Sequence, residues 1–463
     1  MEETEFLGEK DPMLSGSEVE MDDEKHEETP DVKLPGRRGL KDLLLLSFSM
    51  FFIFAAFTAL QALQSSLNET GGKGVACLAV LYGVMIASCV LVAPVLVGIF
   101  RPKWTLVGCF ICHCVFTASN FYPQWYTLIP ACALLGAASG PLWAAHNTYL
   151  TTLAVMHARA VKDKEETVIQ QFNGIFFAVF QASLVGGNVV SALVFAFAHR
   201  ESVTERENSS LEVCHSNVSL CVLDSTKYTL FTVFEVSQIA GLLLVLVALK
   251  TLKKLGSDMQ IHRPKIFQLA ASVVKLHKDV RVLLLLPITF YSGFEQAFIV
   301  GEYTKYFITD FIGVKMVGVV LIVFGVTNSI SSYVSGKLGK KVGRCALILA
   351  GGLLNISLIV FLMAWTASAC YPILFTVPVL WGIVDAISNT QTTALYGVLF
   401  TNNQEAAFGA YRFWQSCGFA VSFAYSHALR HSMETKLIIA LCLVCISMAG
   451  YIGMEAMQRK RNI

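Results

Sequence analysis

Apolar runs of about twenty residues recur along this chain from Leu43 to Met457, and each is long enough to cross about 30 Å of hydrocarbon. A backbone at that depth must satisfy its own N–H and C=O groups, which a helix does. The charges are segregated from these runs: 55% of the 463 residues are hydrophobic and 15% charged, with mean hydropathy +0.59. Soluble domains carry about a quarter charged residues. The expected class is therefore an all-α polytopic membrane protein of about twelve transmembrane helices. The first six spans run Leu43–Leu67, Val75–Phe100, Trp104–Tyr122, Tyr126–Met156, Val168–Ala198 and Thr226–Leu249. The second six run Val282–Ile308, Val314–Gly336, Cys345–Ser368, Pro372–Phe400, Ala406–Leu429 and Leu437–Met457.

This pattern predicts five segments: an acidic tail over 1–40, a six-helix half over 41–249, a basic connection over 250–281, a second six-helix half over 282–457 and a short tail over 458–463. The first tail is acidic, Ser/Glu-rich and poor in aromatics, so it buries too little apolar surface to offset ordering entropy and is expected to be disordered. No cleavable signal peptide is visible, and the first span is expected to act as an uncleaved signal-anchor. Within the tail, Glu9, Met13 and Leu14 fit an acidic-dileucine sorting signal with Met in place of one Leu.

Lys and Arg accumulate on one side of the spans. Placing both termini in the cytosol puts Arg37, Arg38, Lys41, Arg101, Lys103, Arg159, Lys162 and Lys164 inside, with the central connection, Lys337–Arg344 and Arg459–Arg461. The opposite side receives only scattered charges such as Lys73 and Lys227. Glycosylation sequons at Asn68, Asn208 and Asn217 all fall on that opposite side, whereas a match at Asn355 lies within a span. Cys214 and Cys221 share the loop with Asn208 and Asn217 and are the pair expected to form a disulfide; the other cysteines read as small apolar residues of helices.

The basic connection separates two halves that echo one another. Glu166, Phe172 and Asn173 of the fifth span align with Glu405, Tyr411 and Arg412 of the eleventh, and His146-Asn147-Thr148 with Ser388-Asn389-Thr390. These matches indicate parallel halves related about the membrane normal, as in major facilitator proteins. Gly336, Lys340, Lys341, Gly343 and Arg344 resemble the facilitator loop signature Gly-x3-Asp-Arg-x-Gly-Arg, with Lys340 at the acidic position. Loss of that acidic residue argues against an ordinary transport cycle.

Several blocks resemble the uncoordinated-93 family, an outlying branch of the major facilitator superfamily, and its A-type members in particular. They are Leu60–Leu67, Gly140–Thr151, Phe176–Ser183 with Gly187-Asn188, Tyr291–Phe298 with Gly301–Thr304, and Leu380–Trp414. The resemblance covers nearly the whole membrane region. It implies a facilitator-like bundle in two pseudo-symmetric halves and a non-enzymatic regulatory role. The founding member is similar in role to an accessory subunit of a two-pore potassium channel, and the B-type relative escorts nucleic-acid-sensing receptors to endosomes. The chain ends soon after Met457, without the long B-type extension, which favours channel regulation over escort.

Within the spans, ionised side chains are costly and normally face a partner in the bundle interior. Asp385 and Arg412 are the foremost pair, either fixing helix register as a buried ion pair or serving as a gate or solute-binding charges. Glu295 and Glu302 lie in the outer half of the seventh span, as a proton carrier or, for Glu302 with Lys305, as a solvated pair. Asn147, Asn173 and Gln181 read as interhelical hydrogen-bonding groups or as part of a solute path, and His146 as a packed neutral histidine near the cytosolic end or a group titrating near neutral pH. Cys109-Phe-Ile-Cys112-His113 matches a haem-attachment spacing inside a span, where that chemistry has no access. No metal cluster, cofactor loop or nucleophile–base pair stands in a water-facing segment, so no cofactor, nucleic acid or enzymatic activity is expected. The expected partners are the bilayer and another membrane protein, a potassium channel by resemblance, in the plasma membrane or the endosomal system. Transport of a small solute through the cleft between the halves and escort of receptors are the rival readings.

Overall fold

The computed structural model describes residues 36–68, 73–208, 217–252, 266–313, 315–365, 368–428 and 432–461. The first six spans are built from α1 (Gly36–Leu67), α2 (Lys73–Leu91), α3 (Ala93–Ser119), α4 (Trp125–Val161), α5 (Glu165–Asn208) and α6 (Asn217–Leu243), the last continued by a π segment over Leu244–Ala248. After α7 (Ile266–Leu276) come α8 (Val280–Ala297), continued by a π segment over Phe298–Thr309, and the single turn α9 (Asp310–Ile312). The remaining spans are α10 (Lys315–Val342), α11 (Arg344–Ala364), α12 (Tyr371–Leu399), α13 (Gln404–Ala428) and α14 (Met433–Arg461).

Ten helices are long and apolar enough to cross a membrane among the described residues. Two of the twelve spans expected from sequence are not among these ten. One is α2 with the first turns of α3, whose helix reverses at Arg101 (φ 63°, ψ 157°) just before Pro102. Proline disfavours helical backbone at the preceding residue, so the second crossing ends at Phe100 where the sequence places it. The other is α13, whose Arg412, Gln415 and Ser416 dilute its apolar residues. At 44 residues α5 extends about 66 Å, well past the hydrocarbon, so the helix continues beyond Ala198.

Contacts between helix ends define the two faces of the bundle. At the basic end, the start of α1 meets the end of α4 through Gly39 and His157, and Lys340 of α10 meets Asp163 of the α4–α5 turn at 2.8 Å. At the opposite end, Asn68 donates to Asn120 at 3.1 Å and Lys73 to the Pro123 carbonyl at 3.0 Å. Large apolar side chains such as Val247, Leu353 and Ile330 remain exposed around the bundle, as a lipid-facing surface requires.

The interior forms two principal apolar clusters. One is dominated by the first six spans, from Leu43 to Leu249, and also takes in Tyr396, Phe408 and Tyr411. The other lies within the later spans, from Tyr291 to Val444 around Trp381. The basic connection is not all loop: α7 docks on α2, α3 and α13, with Val273 buried beside Ala406 and Ala410. Trp414 of α13 donates to His277, just after α7, at 2.8 Å.

The halves meet most closely where α5 crosses α10. Gly174 and Gly336 face one another there, and a Cβ at Gly174 would lie 2.6 Å from the Gly336 Cα. Such an approach excludes any side chain, the small-residue solution to helix packing in lipid. Ser329 of α10 then donates to the Ala178 carbonyl of α5 at 2.5 Å.

One cysteine expectation needs correction. Cys77 of α2 and Cys132 of α4 form a disulfide with a Cα separation of 5.6 Å, rather than serving as separate small apolar residues. Both lie within two turns of the helix starts at the non-basic end, where α2 and α4 run side by side. Cys214, the side chain of Cys221, and Glu9, Met13 and Leu14 lie outside the described residues.

Replacing Gly174 with Val should lower stability by about 1–3 kcal/mol through overpacking, read as a lower melting temperature in detergent. Gly83→Ala, where nothing stands within 4 Å, should leave it unchanged or slightly raised.

Candidate functional site

Asp385 sits on α12 with its side chain 1% exposed. Helical spacing places Asn389 one turn on, on the same face, and its Nδ2 donates to the Asp385 carboxylate at 2.8 Å. Gln296 of α8 donates to the same carboxylate at 2.9 Å and Asn328 of α10 at 2.5 Å. Three amides from three helices thus surround one carboxylate, and hydrogen bonds to an ionised group are the stronger kind.

The network continues across α8 to α13. Ser292 makes a long 3.5 Å contact to the Asn389 carbonyl oxygen and accepts from Gln415 at 3.2 Å. Gln415 in turn accepts from the Arg412 guanidinium at 2.5 Å. A polar relay therefore links Arg412 to Asp385 through Gln415, Ser292 and Asn389.

The direct Asp385–Arg412 ion pair expected from sequence does not form. α13 packs on α4 as well as on α8, and Arg412 points to the α4 side. Its guanidinium lies 3.7 Å from the Trp143 ring centroid and 5.3 Å from that of Tyr411. Attraction to the ring faces, together with one amide, takes the place of a carboxylate. Because Trp143 belongs to the first six spans and Arg412 to the second, this contact joins the halves inside the bundle.

The remaining candidates are dispersed. Glu295 follows Ser292 on α8 and accepts from Asn355 of α11 at 3.0 Å, while Asn355 accepts from the Trp381 indole at 3.2 Å. Glu302 is not a solvated partner of Lys305: it is 2% exposed and bonded to Lys436 of α14 at 2.5 Å. His146 is fully buried, 3.0 Å from the Asn147 side chain and packed on Phe176 at 3.9 Å between centroids. Asn173 donates to its own helix at Ile169, and Gln181 is half-buried on α5. His113 is wedged against Phe54 and Phe57.

The glycosylation expectation at Asn68 conflicts with its setting. The amide nitrogen that would carry sugar is donated to Asn120, and the residue is 6% exposed. Asn208 ends α5 and Asn217 begins α6; their side chains lie outside the described residues.

Sequence reasoning missed Asn328, Ser292, Gln415, Lys436 and Asp163. Asn328 interrupts an apolar span and was open to notice; Lys436 stands at a span boundary, where a lysine normally meets water. Asp163 matters because of Lys340, the residue at the signature's acidic position. Lys340 bonds Asp163 across the halves, and Arg344 bonds Glu166 of α5 at 2.5 Å and Glu455 of α14 at 3.4 Å. The sign of the charge at the signature is reversed, and its partner here is the acidic Asp163. The Lys340 hydrogen bond holds the Asp163 carboxyl below its ordinary range. Among the described residues no group of three His, Cys, Asp or Glu side chains could hold a metal ion.

The family profile described as "Ion channel regulatory protein UNC-93" matches residues 68–449. The chain belongs to the UNC-93 family. It is 37% identical to protein unc-93 homolog A of Bos taurus over 435 residues, covering 91% of this chain and 94% of that protein. It is 28% identical to the Caenorhabditis elegans protein named "Putative potassium channel regulatory protein unc-93", covering 90% of this chain and 61% of the nematode protein. Among solved structures, the Escherichia coli fucose:proton symporter FucP superposes with a TM-score of 0.65 at 13% identity, over 90% of this chain and 99% of the symporter. That likeness assigns this UNC-93 chain the major facilitator fold and nothing more.

In this UNC-93 protein, Asp385→Leu removes the acceptor of the Gln296, Asn328 and Asn389 amides, two of them buried, and should cost about 3 kcal/mol, with Asp385→Asn costing less. Melting temperatures in nanodiscs give the comparison. The depressed Asp163 carboxyl contributes stability above the unfolded carboxyl range, near pH 4, and loses it as pH falls through the lower folded value. Lys340→Ala should raise the Asp163 titration toward its ordinary range, followed by carboxyl ¹³C NMR of aspartate-labelled protein.

Proposed function

We propose that this UNC-93 member is a non-enzymatic regulatory partner of another membrane protein, with a potassium channel as the favoured partner. The observation that carries the reading is the match to a family described as ion channel regulators over most of the membrane region. The name of the nematode relative supports the choice of channel. The polar groups agree with a regulatory part, because Asp385, Glu302 and Arg412 are turned toward partners within the chain. Regulation then acts through helix faces: a partner that prefers one packing of the two halves is itself biased by them.

In this reading the termini and the basic end lie in the cytosol, and the protein resides in the plasma membrane with the endosomal system as a second station. The Lys/Arg bias supports that orientation. The Cys77–Cys132 disulfide near the other end supports it as well, since disulfides persist on oxidising faces. Movement of a small solute is the second reading, favoured by one feature: the Arg412 cation stacked on Trp143 between the halves.

Affinity capture from native membranes, followed by co-expression with the recovered channel, tests the proposal. The expected outcome is an altered potassium current at unchanged surface abundance of the channel. Solute-dependent flux in proteoliposomes of the purified chain, abolished by Arg412→Ala, would replace regulation with transport.

A further inference from the structure

Three carboxylates are buried among α8, α12 and the π segment that follows α8, and two of them are fully matched. Asp385 has three amide donors and Glu302 has Lys436. Glu295 has neither. One of its oxygens accepts from Asn355; the other, Oε2, is buried without a partner. Asn355 is itself bonded by the Trp381 indole, which orients its amide toward the first oxygen.

Glu295 lines a small cavity of about 20 Å³ together with Tyr291, Asn355, Ser388, Val444 and Met448. That volume has room for a particle of the size of water, since about 10–15 Å³ suffices for one. The groups facing it leave the site negative. Tyr291 comes from the same helix, Asn355 from α11, and Ser388 with the neighbouring Asp385 from α12. α14 contributes Val444 and Met448, and its Lys436 is bonded to Glu302. Arg412 is turned away onto Trp143. A neutral water would leave the Glu295 charge unmatched in a low-dielectric setting, which is costly.

We infer that Glu295 holds a monovalent cation no larger than water, a proton or a bare alkali ion, inside the bundle of the later spans. Its free carboxylate oxygen is the anchor, and Ser388 Oγ and the second lone pair of the Asn355 carbonyl are the neutral oxygens at hand. The occupied site ties α8, α11 and α12 together beside the Asp385 amides, so loading it stiffens α8 and α12, two of the helices that carry the relay to Arg412. This goes beyond partner regulation and stands whether or not a channel is the partner.

Infrared difference spectra of the full chain in nanodiscs, in sodium, potassium or choline media at several pH values, test the site. A carboxylic C=O band at neutral pH in all three media, absent from Glu295→Gln, identifies the proton. An ionised carboxylate band that shifts between choline and an alkali ion, again absent from Glu295→Gln, identifies the metal ion. A Glu295 carboxylate band insensitive to both cation and pH overturns the inference. If Glu295→Gln fails to fold, glutamate-labelled wild type and Ser388→Ala give the same reading: the Glu295 band moves with loss of the serine oxygen if the cation is there, and stays if it is not.

Discussion

Removing a charge from water and lodging it between helices dictates which faces of this protein come together. Asp385 is met by amides from α8, α10 and α12, so the rotation of all three helices is fixed by one carboxylate. Arg412 is met by an aromatic face from the other half. Glu302 and Lys436 meet each other. These solutions are chemically different but share a consequence: removing either partner strands the other in a medium that solvates it poorly. Packing against apolar neighbours cannot supply that discrimination, because lipid tails are as apolar as leucine.

Much of the fold was legible because apolar length is a strong signal and needs no tertiary information. The break at Arg101 was legible too, since Arg101 and Lys103 interrupt the apolar run there. Asp385 and Arg412 stood out as costly residues, but their mutual attraction was the wrong inference. Sequence proximity of two spans does not say which way a side chain leaves its helix, and the donors to Asp385 are uncharged residues of α8, α10 and α12. Lys436 escaped notice for the opposite reason, a charge at a place where charge is ordinary. The Cys77–Cys132 bond escaped because a cysteine in an apolar run carries no mark of its partner 55 residues away.

The facilitator fold and a regulatory role are compatible once the basic end is considered. The signature between α10 and α11 carries Lys340 in place of an acid, with Asp163 and Glu166 supplied by the other half. The Lys340–Asp163 pair is largely exposed and individually weak. Arg344, with its side chain 9% exposed and bonded to both Glu166 and Glu455, is the firmer part of that junction. Beneath it, the glycine contact of α5 with α10 leaves no side chain to yield. Together these features favour one arrangement of the halves at the basic end.

The bond between Cys77 and Cys132 has a mechanical consequence. It rivets α2 and α4 into a single lever near their non-basic ends, and Arg412 leans on that lever through Trp143 of α4. Any push delivered by α13 is therefore shared by both helices rather than absorbed by sliding between them, and reaches the far rim of the bundle as one rigid displacement.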